Sequence, residues 1–301
     1  MDITYKNCNI CPRKCGVDRG STVGPCRSGA KPMISRVSRH MYEEPAICGK
    51  SGAGTVFFSG CNLGCVFCQN SAISRKSTGK EFDTNELAKL FLTVAENGVE
   101  CLDLVTPTHF TPTVAESLTL VKDQLNIPVV WNSGGYESVE SLSLLLGLVD
   151  IYLPDFKYYS PELSAKYSHA ADYRERAEEA LLFMYDMLGA AKFDDNGMMQ
   201  KGIIVRHLVL PGCRNDSIAC LRRLAELIPV SDIKLSLMSQ YTPDFYAGDD
   251  KNLRRRVTTF EYESVLKEAI RLGFDGYMQS PTSASAKYTP EFSDTFSIDL
   301  S

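Results

Sequence analysis

Several features that define membrane, nucleic-acid-binding and secreted proteins are missing from this chain of 301 residues. No apolar run approaches the roughly 18 residues that a membrane-spanning helix requires. The net charge is −5, and the longest basic run is Arg254-Arg255-Arg256, which argues against a nucleic-acid surface. The N-terminal segment 1–6 lacks the apolar core of a signal peptide. We therefore expect a cytoplasmic protein with neither a membrane nor a nucleic-acid partner.

Cysteine, in contrast, is abundant. The chain has eleven cysteines, and seven of them fall in two tight groups, within 8–26 and 61–68. A secreted disulfide protein is typically shorter, with an even number of cysteines spread along the chain. Grouping at ligand spacing therefore favours metal binding over disulfides.

The second group is the most informative segment of the sequence. Cys61, Cys65 and Cys68 have the spacing C-x3-C-x2-C, and no fourth cysteine follows closely. Four thiolates would close the coordination of a zinc ion or of a cubane cluster. Three thiolates on a 4Fe–4S cluster leave one iron open to a substrate or a cofactor, so this loop indicates a reactive site.

After about residue 50, strand and helix patterns alternate. The patterns predict strands over 55–58, 102–105, 127–131, 149–153, 202–210 and 233–238, and helices over 84–97, 113–125, 137–146, 173–189, 216–228 and 260–272. Residues 276–279 form a candidate last strand. Six strand–helix units in order imply parallel strands with right-handed crossovers. We expect a partial (βα)6 barrel, with a doubly wound sheet as the alternative.

This pattern also suggests how the chain is divided. Residues 1–50 are irregular and rich in Cys, Gly and Pro, so we assign them to a small Cys-rich extension of an α/β domain over 51–301. Active residues of either parallel fold lie at the C-terminal ends of the strands. The three-cysteine loop follows the first predicted strand directly, which puts it at that rim.

C-x3-C-x2-C after a first barrel strand resembles the signature of the radical S-adenosylmethionine (SAM) superfamily. The resemblance implies that Cys61, Cys65 and Cys68 hold a 4Fe–4S cluster, whose open iron is chelated by SAM. It implies reductive cleavage of SAM to methionine and a 5′-deoxyadenosyl radical that abstracts hydrogen, and it places Phe67 near the adenine. A structural zinc site or unligated thiols are the alternative readings of the same loop.

A narrower resemblance, to pyruvate formate-lyase activating enzymes and their bacterial homologues, follows the strand ends. Asn132-Ser133 stands where the activating enzymes carry Asp-Thr, Asp155-Phe156-Lys157 matches their Asp-x-Lys, and Arg206–Gly212 matches their fifth strand with its Pro-Gly turn. Since residues two apart on a strand share a face, Asp155 and Lys157 can point into the barrel mouth together. The resemblance assigns Lys157 to the SAM carboxylate and Asp155 to a neighbouring cation or polar group; an ordinary buried pair is the alternative.

One landmark departs from this pattern. Where the activating enzymes carry a Gly-Gly-Glu segment that binds the SAM amine, this chain has Thr106-Pro107-Thr108-His109. Backbone carbonyls or the Thr108 hydroxyl are candidate substitutes, and His109 is either a SAM or substrate contact or a loop histidine. The segment Gly134-Gly135-Tyr136-Glu137 resembles the missing motif but follows the third strand, so we interpret it as a turn and a helix start.

Two further rim residues have alternative roles. His207 lies within a predicted strand and is either a SAM contact or a core histidine, since side chains alternate between the two faces. Cys213 follows the Pro-Gly turn and is a candidate catalytic thiol.

The first cysteine group forms a complete ligand set. Cys8, Cys11, Cys15 and Cys26 follow the spacing C-x2-C-x3-C-x10-C, with glycines between them. Four thiolates suit structural zinc or a second Fe–S cluster, and the spacing does not choose between them. Free or redox-active thiols are the alternative. The activating enzymes lack this element, whereas similar cysteines accompany their homologues.

Three functions follow from these patterns. The leading hypothesis is a radical SAM enzyme that acts on a protein or peptide, with glycyl-radical installation as the first case. The second is modification of a small molecule or of another protein side chain, with the N-terminal cysteines as part of the site. The third is a non-catalytic Fe–S carrier, which would require four ligands per cluster. The resemblance also implies a flavodoxin- or ferredoxin-type reductant and an oxygen-sensitive enzyme from an anaerobic setting.

Overall fold

The computed structural model describes residues 3–246, 248–279, 292–293 and 295–300. Its strands are β1 (Met33–His40), β2 (Ala53–Phe58), β3 (Lys80–Glu81), β4 (Leu102–Val105), β5 (Val129–Ser133), β6 (Ile151–Pro154), β7 (Lys192–Phe193), β8 (Met199–Leu208), β9 (Lys234–Met238), β10 (Gly276–Met278) and β11 (Ser297–Asp299). Its helices are α1 (Pro45–Cys48), α2 (Ser71–Ser74), α3 (Thr84–Ala95), α4 (Thr111–Val121), α5 (Val139–Leu142), α6 (Pro161–Ser168), α7 (Tyr173–Leu188), α8 (Arg214–Leu227) and α9 (Thr259–Leu272).

The order of the strands confirms the partial barrel. Strands β2, β4, β5, β6, β8, β9 and β10 lie side by side in chain order, and each neighbouring pair is parallel. A doubly wound sheet reverses its strand order at one point, and this sheet does not. On the other side of β2, strand β1 pairs antiparallel with it and β11 pairs parallel with β1. Over the described ranges the sheet runs from β10 to β11 without closing.

The barrel strands are buried on both faces because helices cover the outside and side chains fill the inside. Every residue of β2, β4, β5 and β6 is buried. Helix α1 contributes Ala46, Ile47 and Cys48 to a cluster with Ala53 and Cys101, which lie at or just before the starts of β2 and β4. This short helix therefore covers the end of the barrel where the strands begin, opposite the rim.

Several elements differ from the sequence-based expectations. Residues 33–40 were expected to be irregular, yet they form β1 and join the barrel sheet. Helix α6 falls in a stretch without a predicted element, and the helix expected over 137–146 is confined to Val139–Leu142 followed by a 3-10 turn. The division at residue 50 stays a prediction, although the sheet itself begins at Met33.

Among the described residues, no helix is both long and apolar enough to cross a lipid bilayer.

The start of α9 is tied to the turn at Pro211-Gly212 through one carboxylate. Glu261 accepts hydrogen bonds from the backbone N–H of Gly212 at 2.7 Å and from the backbone and hydroxyl of Thr258, each at 2.9 Å. The guanidinium of Arg255 donates twice to the same carboxylate, both at 2.7 Å. These hydrogen bonds, led by those of Arg255, lower the pKa of Glu261 to about 2.

We predict that Glu261→Gln lowers the free energy of unfolding by about 1.5–3 kcal/mol at neutral pH, the range for hydrogen bonds to a charged group. The pKa of Glu261 is lower in the folded than in the unfolded state, so its contribution is complete above an unfolded pKa of about 4.3 and is lost as the pH falls towards about 2. Urea unfolding at about pH 7 and about pH 3 measures both effects.

The matched control is Glu263→Gln, because Glu263 is an exposed carboxylate on the same helix. A difference between wild type and Glu261→Gln that is equal at the two pH values would contradict the prediction.

Candidate functional site

A cavity of about 180 Å³ opens at the C-terminal ends of the barrel strands. Eight residues predicted for the site line it: Cys61, Cys65, Cys68, Phe67, Asn132, Ser133, Asp155 and Lys157. The predicted residues Thr108, His109, His207 and Cys213 are absent from its lining, as are the four N-terminal cysteines. The structure therefore brings together the three-cysteine loop and the ends of β5 and β6.

The three-cysteine loop follows β2 and is held by backbone hydrogen bonds on two sides. The N–H of Cys61 donates to the carbonyl of Cys26 at 3.1 Å, and the N–H of Val66 donates to the carbonyl of Tyr167 at 2.9 Å. Gly60 has φ +82°, and a Cβ there would lie 2.5 Å from the Cys26 carbonyl oxygen. Only glycine tolerates both the positive φ and this close approach.

Burial raises the pKa of the Cys61 thiol to about 12. Burial also raises the pKa of Cys65, although the ammonium of Lys157 opposes the shift. A thiol that binds a metal must lose its proton, and a bound cation supplies the charge that removes it. In the protein alone these thiols stay protonated near neutral pH.

The ends of β6 and β8 carry a half-buried ion-pair network on the cavity wall. Lys157 donates from Nζ to Asp155, and Arg206 donates from Nε to the other oxygen of Asp155 at 3.2 Å. Burial acts to raise the pKa of Asp155, but these two cations outweigh it and lower that pKa. Arg206 also donates to the side-chain oxygen of Asn132 at 2.6 Å, so one guanidinium joins the ends of β5 and β6.

Arg206, Glu43 and His40 were not among the predicted site residues, yet all three line the cavity. Arg206 lies 3.8 Å from the carboxylate of Glu43. The ring of His40 lies 3.8 Å from the same carboxylate. The sequence did contain an indication that Arg206 faces the site. Arg206 lies two residues before Leu208, on the same face of a strand that ends at the rim.

Two further carboxyls lie near Arg206. Asp103 of β4 and Glu44 are buried, and burial raises the pKa of both. Asn132 donates to Asp103 at 3.4 Å, whereas the second oxygen of each carboxyl has no hydrogen-bond partner. Burial raises the pKa of Glu43 as well, since the charge of Arg206 offsets it only in part.

Thr108 and His109 point away from the cavity and bond to neighbouring protein groups. The Thr108 hydroxyl donates to buried Glu137 at 2.8 Å, and Nε2 of His109 lies 2.9 Å from the carbonyl oxygen of Ser59. Burial lowers the pKa of His109 to about 3, so its ring stays neutral. Within the segment that replaces Gly-Gly-Glu, Thr106 lines the cavity instead.

The side chain of His207 is buried and absent from the cavity lining. Its Nδ1 lies 2.6 Å from the carbonyl oxygen of Phe156, and burial lowers its pKa to about 4. Cys213 immediately precedes α8, and burial raises its pKa to about 11, which makes it a poor nucleophile. The Gly134–Glu137 segment forms the expected turn. Gly135 has φ +77°, and a Cβ at this position would lie 2.1 Å from the Asp155 carbonyl oxygen.

The N-terminal cysteines gather behind the three-cysteine loop. Cys8, Cys11 and Cys26 are buried, Cys15 is half-buried, and all are free thiols. A Cβ on Gly24 would lie 3.3 Å from the sulfur of Cys26 and 3.8 Å from that of Cys15. Over the ranges given above, no three His, Cys, Asp or Glu side chains are arranged to hold a single metal ion.

Comparison with known proteins identifies the family. The sequence model of the radical SAM superfamily matches residues 55–212, which is more than half of the chain. An uncharacterized protein of Methanocaldococcus jannaschii, MJ0674, is 30% identical over 282 residues, which cover 90% of this chain and 76% of that protein. The chain belongs to the radical SAM superfamily, whose members use SAM and an iron–sulfur cluster for radical chemistry.

Similar chains of known structure include SuiB and HydG, and the likeness to SuiB reflects a shared fold. SuiB of Streptococcus suis, bound to its precursor peptide SuiA, matches 87% of this chain with a TM-score of 0.51 and 11% identity. HydG, a maturase of the FeFe-hydrogenase, matches 90% of this chain with a TM-score of 0.49 and 14% identity. The chain spans 54% of the SuiB chain and 57% of the HydG chain.

We predict that Arg206→Ala lowers the free energy of unfolding by about 1.5–3 kcal/mol, the range for hydrogen bonds to charged groups, because Glu43 loses the guanidinium beside it and Asp155 keeps only Lys157. Urea unfolding of the anaerobically purified protein measures the loss. Arg222→Ala is the control, since Arg222 pairs with Glu268 at the surface and such pairs contribute at most about 1 kcal/mol. Equal losses in the two variants would contradict the prediction.

Proposed function

We propose that this chain is a radical SAM enzyme that abstracts hydrogen from a protein or peptide, in the manner of glycyl-radical activating enzymes. The proposal depends on one observation. Cys61, Cys65 and Cys68 line the same cavity as Asp155 and Lys157. Three cysteines and no fourth line this cavity. Three thiolates fit a cluster with one open iron, whereas the cluster of an electron carrier would need four ligands.

The proposed ligands of the 4Fe–4S cluster are Cys61, Cys65 and Cys68. Bound cluster and bound SAM together supply a hydrogen-abstracting radical, and the protein supplies position and exclusion of water. Lys157 is the proposed partner of the SAM carboxylate, with Asp155 as a cation or polar-group partner beside it. Lys157 and Arg206 together lower the pKa of Asp155 and so keep it ionised.

Asn132 and Ser133 are the proposed polar contacts of SAM at the end of β5. Phe67 is the proposed neighbour of the adenine. Its ring packs edge-on against Tyr167 and Tyr241, at centroid distances of 6.4 and 6.1 Å, so it has a fixed position beside Cys68. Thr108, His109 and His207 remain predictions from the resemblance, without support from the lining of the cavity.

A groove beside the cavity supports a protein or peptide substrate over a small molecule. Its walls are formed by Gln69, Ser71, Ala72, Arg75, Lys76, Phe245 and Phe292. Gln69 and Phe245 also line the cavity, so the two spaces adjoin. An extended peptide substrate can lie in the groove while one of its residues reaches the cavity. A compact metabolite requires only the cavity.

We further propose that Cys8, Cys11, Cys15 and Cys26 bind zinc or a second Fe–S cluster, and that a flavodoxin- or ferredoxin-type protein supplies electrons in the cytoplasm. The N-terminal sulfurs lie outside the cavity lining, which favours a role behind the three-cysteine loop over direct contact with substrate.

The ligand set is tested by anaerobic reconstitution of wild type and of Cys61→Ala, Cys65→Ala and Cys68→Ala. We expect each variant to lose about four irons and to stop forming 5′-deoxyadenosine from SAM under reducing conditions. Cys220→Ala is the control, because Cys220 is a buried cysteine on α8 outside both groups. Full iron content in all three variants would rule out the proposed ligands.

The substrate class is tested with reconstituted enzyme, SAM, reductant and candidate glycyl-radical enzymes. We expect a doublet EPR signal of a protein radical in one of them, with 5′-deoxyadenosine formed in step. Turnover on a small metabolite without any protein radical would overturn the protein-substrate proposal, and would leave the cluster ligands untouched.

The N-terminal metal is identified by counting metals in the same reconstituted protein. About four irons with one zinc indicate a structural zinc site, and about eight irons indicate a second cluster. We expect Cys8→Ala to remove only the N-terminal metal. An unchanged metal count in Cys8→Ala would contradict metal binding at this group.

A further inference from the structure

Each sulfur of the three-cysteine loop accepts a hydrogen bond from the protein. The N–H of Leu63 donates to Cys61 Sγ at 3.4 Å, and the hydroxyl of Ser74 donates to Cys68 Sγ at 3.4 Å. The shortest of the three comes from Ser168, whose Oγ lies 2.9 Å from Cys65 Sγ. Ser168 is the last residue of α6, an element absent from the sequence-based prediction.

The Ser168 hydroxyl has a second buried partner. The phenol oxygen of Tyr158 lies 2.7 Å from Ser168 Oγ, and both residues are almost fully buried. Since the Ser168 proton points to the sulfur, the Tyr158 hydroxyl donates to Ser168. The two hydrogen bonds form a chain that ends on Cys65, and each bond in such a chain polarises the next.

The position of Ser168 relative to the loop is fixed by Arg13. One guanidinium donates to the carbonyls of Ser168 at 3.2 Å and His169 at 3.0 Å, at the end of α6. It also donates to the carbonyls of Asn62 and Leu63, within the three-cysteine loop. The helix end and the loop are therefore held as one unit, which keeps the Ser168 hydroxyl aimed at Cys65.

Hydrogen bonds to ligand sulfurs are one of the means by which proteins set the reduction potential of iron–sulfur clusters. A donor stabilises the extra negative charge of the reduced state more than that of the oxidised state, so it makes reduction easier. We propose that Ser168, positioned by Tyr158 and Arg13, raises the reduction potential of the cluster at Cys61, Cys65 and Cys68. This inference rests on the proposed ligand set.

The test is the potential of the reconstituted protein, measured anaerobically by EPR at a series of poised potentials with a chemical reductant as the source of the single electron. We expect Ser168→Ala to shift the one-electron equilibrium towards the oxidised cluster by roughly tenfold, which is 59 mV towards more negative potential. We expect Tyr158→Phe to shift it the same way by less, because the serine hydroxyl remains.

Ser164→Ala is the matched control. Ser164 is a buried serine of the same helix, but its hydroxyl donates to the carbonyl of Pro161 at 3.1 Å. We expect its potential to equal that of wild type, and Ser168→Thr, which keeps a hydroxyl, to lie nearer wild type than Ser168→Ala does.

An unchanged potential in Ser168→Ala, with full iron content, would overturn the inference. So would an equal shift in Ser164→Ala, because it would reflect a general disturbance of α6. Iron content in Cys65→Ala separates this failure from that of the ligand set. Loss of iron there with no shift in Ser168→Ala overturns the inference alone, whereas full iron there overturns the proposed ligands as well.

Discussion

Pairing of the half-buried Arg206 guanidinium is the constraint on which the cavity depends. A cation taken out of water is tolerated only where carboxylates and polar oxygens surround it. Arg206 finds these partners on three separate parts of the chain: Asp155 at the end of β6, Asn132 on β5 and Glu43 after β1. One guanidinium thus links the ends of β5, β6 and β8 to the segment after β1.

Much of the barrel could be predicted because its strands are buried on both faces and separated by amphipathic helices. Strand β4 lies where the apolar run 102–105 predicted it. Strand β1 was missed for a physical reason, since its register with β2 shifts between Ile34 and Arg36 and interrupts the alternation of apolar residues. Helix α6 did carry a signal, the Ser160-Pro161 start that caps it, but its apolar face is too short to be recognised by periodicity.

Strand geometry correctly indicated which residues line the cavity, whereas the choice of residues by type alone did not. Asp155 and Lys157 share a face and both reach the cavity, as their spacing required. His109 and His207 have side chains suited to catalysis, but each ring is held by a backbone carbonyl in the core. Arg206 and His207 are adjacent on β8 and hence point to opposite faces, and Arg206 is the one that lines the cavity.

The two cysteine groups, which are separate in sequence, form one structural unit. Cys26 belongs to the first group, and its carbonyl accepts the N–H of Cys61 in the second. Gly60 permits this approach because it has no Cβ to meet that carbonyl. Arg13, which lies between two N-terminal cysteines, donates to the backbone of the same loop. A metal at the N-terminal group would consequently stiffen the loop from behind, while the opposite side of the loop faces the cavity. Such a metal would act through the position of the loop, because the four N-terminal cysteines are absent from the cavity lining.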